Sequence, residues 1–189
     1  MENLAFKNED RYEMIDGKVV MMSPRPATNH GIISGNIYHI FRKYLQGKKC
    51  RAFMDGHELH LDEKNSLVPD AMIVCNKEMI KSDGIHGVPD LVVEVLSPST
   101  AARDKGVKKD LYEKFGVKEY WIASPGDKSI EVHLLRNGKF DLDNIYTVYP
   151  DWQWSKMSEE EKAAAALSFR VSLYDDFVVD VREIFENVE

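Results

Sequence analysis

Hydrophobic and polar positions alternate on either side of Asp16-Gly17, the pattern of a two-residue β-hairpin between residues 12–15 and 19–22. Ser23-Pro24-Arg25-Pro26 breaks the alternation, and Thr28 or Asn29 then offers a helix cap. Ile32, Ile33, Ile37, Ile40, Phe41 and Leu45 fall near helical spacing, which predicts an amphipathic helix ending at Gly47. Residues 50–53 and 58–61 read as strands around Asp55-Gly56. Two apolar β-type runs follow, one after Pro69 and one over 91–96, joined by a polar connection holding Gly84 and Gly87. Ser97-Pro98-Ser99-Thr100 stops the second run. Residues 103–115 read as a helix with Val107, Leu111 and Phe115 on its apolar stripe and Gly116 closing it. Residues 119–123 form another buried strand, and 130–140 a second hairpin around Asn137-Gly138. A short alanine-rich helix over 159–167 and a strand with a helix near 178–185 end the chain. The order predicts one α/β domain, a sheet flanked by helices with an N-terminal β-hairpin. Its core spans about 11–149, and 150–189 is expected to be peripheral.

Length and composition narrow the classes. A chain of 189 residues with 43% hydrophobic and 30% charged residues fits one ordinary globular domain. No apolar run reaches the roughly 18 to 20 residues that span a bilayer. The first residues lack a basic stretch followed by an apolar one, so no secretory signal and a cytoplasmic location are expected. Cys50 and Cys75 form no CxxC, and in a reducing compartment they are expected as small buried hydrophobes with free thiols rather than as a disulfide. A net charge of −7 argues against broad affinity for nucleic acid but allows a local basic groove. Arg42, Lys43, Lys48, Lys49 and Arg51 form one basic group, and Arg103, Lys105, Lys108, Lys109, Lys114 and Lys118 another. For most of these, a solvated helix face is the plain reading.

The chemistry concentrates in the two apolar runs. Glu94 is a lone carboxylate inside Leu91-Val92-Val93-Glu94-Val95-Leu96, which reads as a strand buried on both faces. An ionised carboxylate is almost never fully buried without a partner. Asp70 opens the neighbouring run. Two acids on adjacent core strands suggest a site for a hard divalent cation, Mg2+ or Mn2+, because such ions take oxygen ligands. Taken alone, Asp70 after Pro69 reads equally as the end of a turn, Lys108 as a solvated helix lysine, His30 as a capping or packing residue and Glu13 as support for the hairpin. Ser97 and Ser99 lack a G-x-S-x-G context, which argues against a serine hydrolase.

With these residues in place the chain resembles the Uma-two family, within the PD-(D/E)XK nuclease-like superfamily. The matching pieces are residues 12–17, His30, Val68-Pro69-Asp70, residues 89–100, Asp104 with Lys108 and Tyr112, and residues 116–121. The resemblance implies a restriction endonuclease-like mixed sheet and a metal-dependent endonuclease acting on DNA, expected as a homodimer. It implies catalytic roles for Asp70, Glu94 and Lys108, with Asp70, Glu94 and the carbonyl of Val95 holding the metal. His30, Glu13, Asp104 and Tyr112 are accessory candidates. In the superfamily pattern a lysine follows two residues after the glutamate, but Leu96 stands there in this chain. Lys108 supplies the migrated lysine, four residues after Asp104 and four before Tyr112, so that all three share one helix face. On this reading Lys108→Ala costs catalysis and leaves the melting temperature almost unchanged. Trp152, Trp154, Phe169 and Tyr174 add apolar surface that a dimer would cover. A nuclease-fold protein that binds nucleic acid or a protein without cutting, and a hydrolase of another phosphate ester, are the alternatives.

Overall fold

The computed structural model describes residues 11–22 and 27–189. The N-terminal stretch and the Ser23–Pro26 break lie outside the described residues. The hairpin forms as expected, with β1 (Tyr12–Ile15) and β2 (Lys18–Met21) paired antiparallel. Asp16 and Gly17 both take positive φ, 50° and 74°, the conformation a two-residue turn of this kind demands. Helix α1 (Thr28–Leu45) buries Ile33, Ile37, Ile40, Phe41 and Leu45. Its cap is Ala27, with no side-chain hydrogen bond, so Thr28 is the first helical residue and not the cap. The chain continues through β3 (Arg51–Met54), β4 (Leu59–Asp62), β5 (Asn65–Leu67), β6 (Ala71–Val74), β7 (Ile85–His86) and β8 (Leu91–Val95). After Thr100, α2 (Ala101–Arg103) runs through a π-helical turn at Asp104–Lys108 into α3 (Lys109–Phe115). Then follow β9 (Glu119–Ser124), β10 (Ser129–Arg136), β11 (Lys139–Thr147), α4 (Asp151–Trp154), α5 (Glu159–Ala164), β12 (Ser168–Arg170), β13 (Val178–Asp180) and α6 (Val181–Ile184).

The main sheet has six strands in the order β11-β10-β9-β8-β6-β3, with only the β8–β9 pair parallel. A second sheet, β2-β1-β5-β4-β7, combines the hairpin with segments that the sequence shows only as loop and isolated strand. The strands around Asp55-Gly56 therefore do not pair with each other: β3 lies in the main sheet and β4 in the second. Alternation along the central strands sorts their side chains. Ala71, Ile73, Leu91, Val93, Val95, Trp121 and Ala123 face α1, and Met72, Val74, Val92, Tyr120 and Ile122 face the second sheet and α3. Glu94 shares the face of Val92, which turns it toward α3.

Three features differ from the sequence reading. Cys50 and Cys75 flank the Arg51↔Val74 pair of β3 and β6 and are joined as a disulfide, with Cα atoms 3.9 Å apart. Only the strand register brings them together, and the spacing of 25 residues does not show it. The tail divides: Asp151–Trp154 and Glu159–Ala164 stay at the surface, whereas Phe169, Val171, Phe177, Val179, Ile184 and Phe185 complete the core beneath α1. Phe169 is thus accounted for by the monomer's own core, and Trp152 remains 64% exposed. On the helix over 101–115, Val107 points to solvent, and the buried face is instead Asp104, Lys108, Leu111 and Tyr112. Gly116 closes that helix in the left-handed conformation at φ 89°, as expected. Among the described residues no helix is long and apolar enough to cross a membrane.

Candidate active site

Strand register creates the site. Ala71 pairs with Val93 on antiparallel β6 and β8, so Asp70 and Glu94, one residue beyond, come side by side at one end of the sheet. The main chain holds Asp70 there. Its N–H donates to the Val93 carbonyl at 3.2 Å, and its Oδ2 accepts from the Val95 N–H at 2.6 Å. The contact between Val95 and Asp70 is thus made by the N–H; the Val95 carbonyl leaves the strand on the same edge. His30, in the first turns of α1, places Nε2 3.3 Å from Asp70 Oδ2. Asp70 and Glu94 both open on a cavity of about 230 Å³, whose wall also holds Glu13, His30, Asp104 and Lys108.

Lys108 lies at the centre. Its ammonium is 2.7 Å from Glu13 Oε1, 2.9 Å from Glu94 Oε1 and 3.8 Å from Asp104 Oδ1. Tyr112, four residues on, donates its hydroxyl to the same Glu94 oxygen at 2.8 Å. The i, i+4 spacing that suggested one face for Asp104, Lys108 and Tyr112 holds. Leu96 is half-buried and takes no part in this cluster. Glu13 does more than support its hairpin. Oε1 also accepts from the Val68 N–H at 3.1 Å, and Oε2 from the Arg103 guanidinium at 3.2 Å. It ties together β1, the segment before β6, and the helix. Lys108 is only 4% exposed and its ammonium meets three carboxylates, so the lysine is a buried counter-ion. A substitution there must cost stability as well as any chemistry, contrary to the reading of a solvated lysine.

The electrostatics follow from too many carboxylates in too little water. Burial pushes the Glu94 carboxyl well above its usual range; Lys108 pulls it back, while Asp104, Asp70 and Glu13 push the same way as burial. Asp104 is raised for the same first reason. Burial alone would lower Lys108, but Glu94, Glu13 and Asp104 outweigh it and hold the ammonium protonated. Tyr112 is raised well above its usual value, mainly by burial. For His30, burial opposes protonation, but the hydrogen bond and charge of Asp70, with the more distant Asp55 and Asp104, leave it raised. These directions agree: burial first, with the crowded carboxylates second, favours the protonated acids, and at the two bases the carboxylates outweigh burial.

That excess of carboxylates bears on a metal. Glu13, Asp70, Glu94 and Asp104 face Lys108, Arg103 and His30, and the remaining pair, Arg11 with Asp55 at 2.6 Å, is self-contained. Asp104 Oδ1 and His30 Nδ1 are buried without a hydrogen-bond partner. Oxygen donors with surplus negative charge fit a hard divalent cation. Both donors to Glu94 fall on Oε1, which leaves its second oxygen for a ligand. Among the described residues, no three His, Cys, Asp or Glu side chains are already gathered as a metal cage.

Arg11 and Arg103 are the site residues that sequence reading missed. Arg103 carried a faint signal, its place beside Asp104. Arg11 carried none: it lines the cavity and its partner there, Asp55, is 44 residues away.

Comparison with known proteins agrees with this geometry. The profile of the Uma2 family, described as "Putative restriction endonuclease", matches residues 1–160. The "Uncharacterized protein slr1290" of Synechocystis sp. (strain ATCC 27184 / PCC 6803 / Kazusa) is 33% identical over 130 residues, 68% of this chain and 67% of that protein. A crystal structure of "a putative nuclease belonging to DUF820 from Anabaena variabilis ATCC 29413" aligns with a TM-score of 0.63 at 16% identity, over 94% of this chain and 90% of that one. At that identity the likeness is one of fold. The matched stretch contains every side chain of the cluster from Glu13 to Tyr112, and the chain belongs to the Uma2 family, with a mixed α/β fold of the restriction endonuclease-like class.

Proposed function

We propose that the chain is a magnesium- or manganese-dependent endonuclease that hydrolyses phosphodiester bonds in DNA. The observation that carries this is the register of β6 and β8, which sets Asp70 beside Glu94 on one cavity with Lys108 bonded to Glu94. Asp70 and Glu94 would hold the cation, with the Val95 carbonyl on the same strand edge, and the ion when bound supplies charge neutralisation at a non-bridging oxygen and a more acidic water. Lys108, bonded to Glu94 and Glu13 beside Asp70, supplies positive charge toward the pentacovalent phosphorus. Glu13 and Tyr112 fix Lys108 and Glu94 respectively, and His30 braces Asp70. Arg103 and Arg11 line the same cavity, and a phosphate beside the scissile one would compete for them with Glu13 and Asp55. A homodimer belongs to the same reading, since two cavities suit two strands. Light scattering at micromolar concentration tests it, and a mass near 21.7 kDa refutes it.

Plasmid DNA incubated with Mn2+ or Mg2+ tests the reaction. Nicking or linearisation is expected, abolished by chelator and reduced about 100- to 10,000-fold in Glu94→Gln. Calorimetry should show Mn2+ binding by the parent and its loss in Glu94→Gln. The ammonium among the carboxylates favours one rival, a nuclease-fold protein that binds without cutting. A parent protein that binds DNA and leaves plasmid intact with either metal selects that rival.

A further inference from the structure

Residues 17–54 contain no Asp or Glu, although the chain has 32 acidic residues. Seven of its 25 Lys and Arg lie in that window, which therefore carries a formal +7 against −14 for the rest. The fold gathers five of the seven in one place. Arg42 and Lys43 are in the last turns of α1, Lys48 and Lys49 in the connection, and Arg51 opens β3. A depression of about 580 Å³ lies among His39, Arg42, Lys43, Gln46 and Arg51, and no carboxylate lines it.

Some surface cations of this protein find partners: Lys105, Lys118, Arg136, Lys139 and Arg182 each meet a carboxylate, whereas others scattered singly, such as Lys64 and Lys81, make no ion pair among the described residues. The five basic residues here make no ion pair with a carboxylate among the described residues. Lys48 rests over the rings of Tyr44 and Tyr174, and Arg51 donates to the carbonyls of Lys48 and Cys50. Five like charges held together repel one another, and a polyanion turns that repulsion into attraction.

The patch is also aligned with the active site. α1 runs from His30 at the cavity to Arg42 in the patch, and β3 runs from Arg51 in the patch toward Asp55 at the cavity. From His30 to Arg42 is about 18 Å at 1.5 Å per helical residue. That span equals about five base pairs at roughly 3.4 Å per step. The exposed α1 positions between them are Gly31, Gly35 and His39. A Cβ added at Gly31 or Gly35 would meet nothing within 4 Å, so packing requires neither glycine. The exposed face of α1 from cavity to patch is therefore low and carries no acidic side chain of its own; Glu186 and Glu189 lie against its Asn29 and Asn36 side.

We propose that this surface is a track for the phosphodiester backbone of duplex DNA, gripping it about five base pairs to one side of the cut. The inference rests on the nuclease reading above. The test is anisotropy of a labelled 24-base-pair duplex in chelator over a salt series, with cleavage measured separately in Mn2+. Arg42→Glu/Lys43→Glu changes only exposed side chains. It should weaken binding at least tenfold and lower the slope of log Kd against log salt by about two, the yield of two phosphate contacts. Gly35→Glu should weaken binding without lowering the melting temperature, and Gly35→Ala should bind like the parent. Duplexes shorter than about five base pairs on the patch side should lose the difference between parent and double variant. A double variant with the parent's affinity and slope overturns the track; if that protein still cuts, the nuclease reading stands alone. A parent that binds with the expected charge dependence and cuts nothing overturns the nuclease reading and keeps the track. A parent that binds no duplex in chelator overturns the track, and cleavage in Mn2+ then decides the nuclease reading on its own.

Discussion

Lys108→Met removes a cation from between three carboxylates while keeping the length of the stem. The side chain is 5% exposed, and Glu13, Glu94 and Asp104 lie 2.7, 2.9 and 3.8 Å from its nitrogen. Deleting one partner of a buried ion pair costs about 3 to 5 kcal/mol, because the other charge stays buried without compensation. Here two carboxylates within hydrogen-bond range lose it together, and Arg103 touches only the far oxygen of Glu13. In a domain of this size each kcal/mol moves the midpoint by about 2 to 4 °C, so Tm should fall by about 6 to 20 °C at pH 8.

The pH dependence has a definite sign. The Glu94 and Asp104 carboxyls are already raised in the folded protein. A raised carboxyl contributes stability below its unfolded value, near 4, and loses it as pH rises through the folded value. Losing the lysine raises them further and carries that loss to higher pH. The deficit of the variant should therefore be largest at pH 8 and shrink toward pH 5, as the carboxylates take up protons. Adding Glu13→Gln to Lys108→Met should recover part of it at pH 8. Urea and thermal denaturation in chelator at both pH values measure all of this. If Lys108→Met melts within 2 °C of the parent at pH 8 (roughly 1 kcal/mol or less), the ammonium is not the counter-ion that holds these carboxylates in place.

Other outcomes follow from separate features. Thiol titration of the unreduced native protein should find no free thiol, and reduction or Cys50→Ser should cost about 3 to 4 kcal/mol for a loop of this length; two titratable thiols would contradict the bridge. Burial, with help from Lys109, lowers the pKa of His133, whose partner Glu131 only partly opposes it. The stability tied to His133 is present above about pH 6.5 and is lost as pH falls through its lowered folded value. His133→Leu should flatten the pH 7 to 5 stability profile by up to about 1.4 kcal/mol per unit, and an unchanged slope would rule His133 out as its source. Glu13→Gln should lower Tm and cleavage together, whereas Arg11→Gln should reduce cleavage and leave Tm within about 2 °C, since its pair with Asp55 is half-exposed.

Much of the site was legible because burial and charge conflict in one dimension. Glu94 in an apolar run announces a partner, and Asp104, Lys108 and Tyr112 announce a helix face, since both patterns depend only on local periodicity. The role of Glu13 was not legible. It needs β1 to pair with β5 and so approach Val68, 55 residues on, and no local signal encodes that pairing. The second sheet escaped for the same reason, being assembled from strands of two to four residues. Phe169, Val171, Phe177 and Val179 alternate over stretches too short to distinguish a core strand from a loop. The disulfide was judged on compartment, whereas strand register decides it.

The π-helical turn at Asp104–Lys108 makes the site tolerant of a change in chain length. A turn of this kind holds one residue more than the α-helix around it can accommodate, and here the helical angles lapse at Gly106. Loss of a single codon from this turn would heal the helix into regular α form. Lys108 and Tyr112, on the C-terminal side, would keep their places against Glu94. The residues on the N-terminal side would keep nearly their present phase, because the wide turn already takes up the extra residue. Arg103 and Asp104 would stay on the side of the helix that faces the cavity. The turn is thus a place where one residue can come or go in the chain while the groups that meet Glu94 hold their positions.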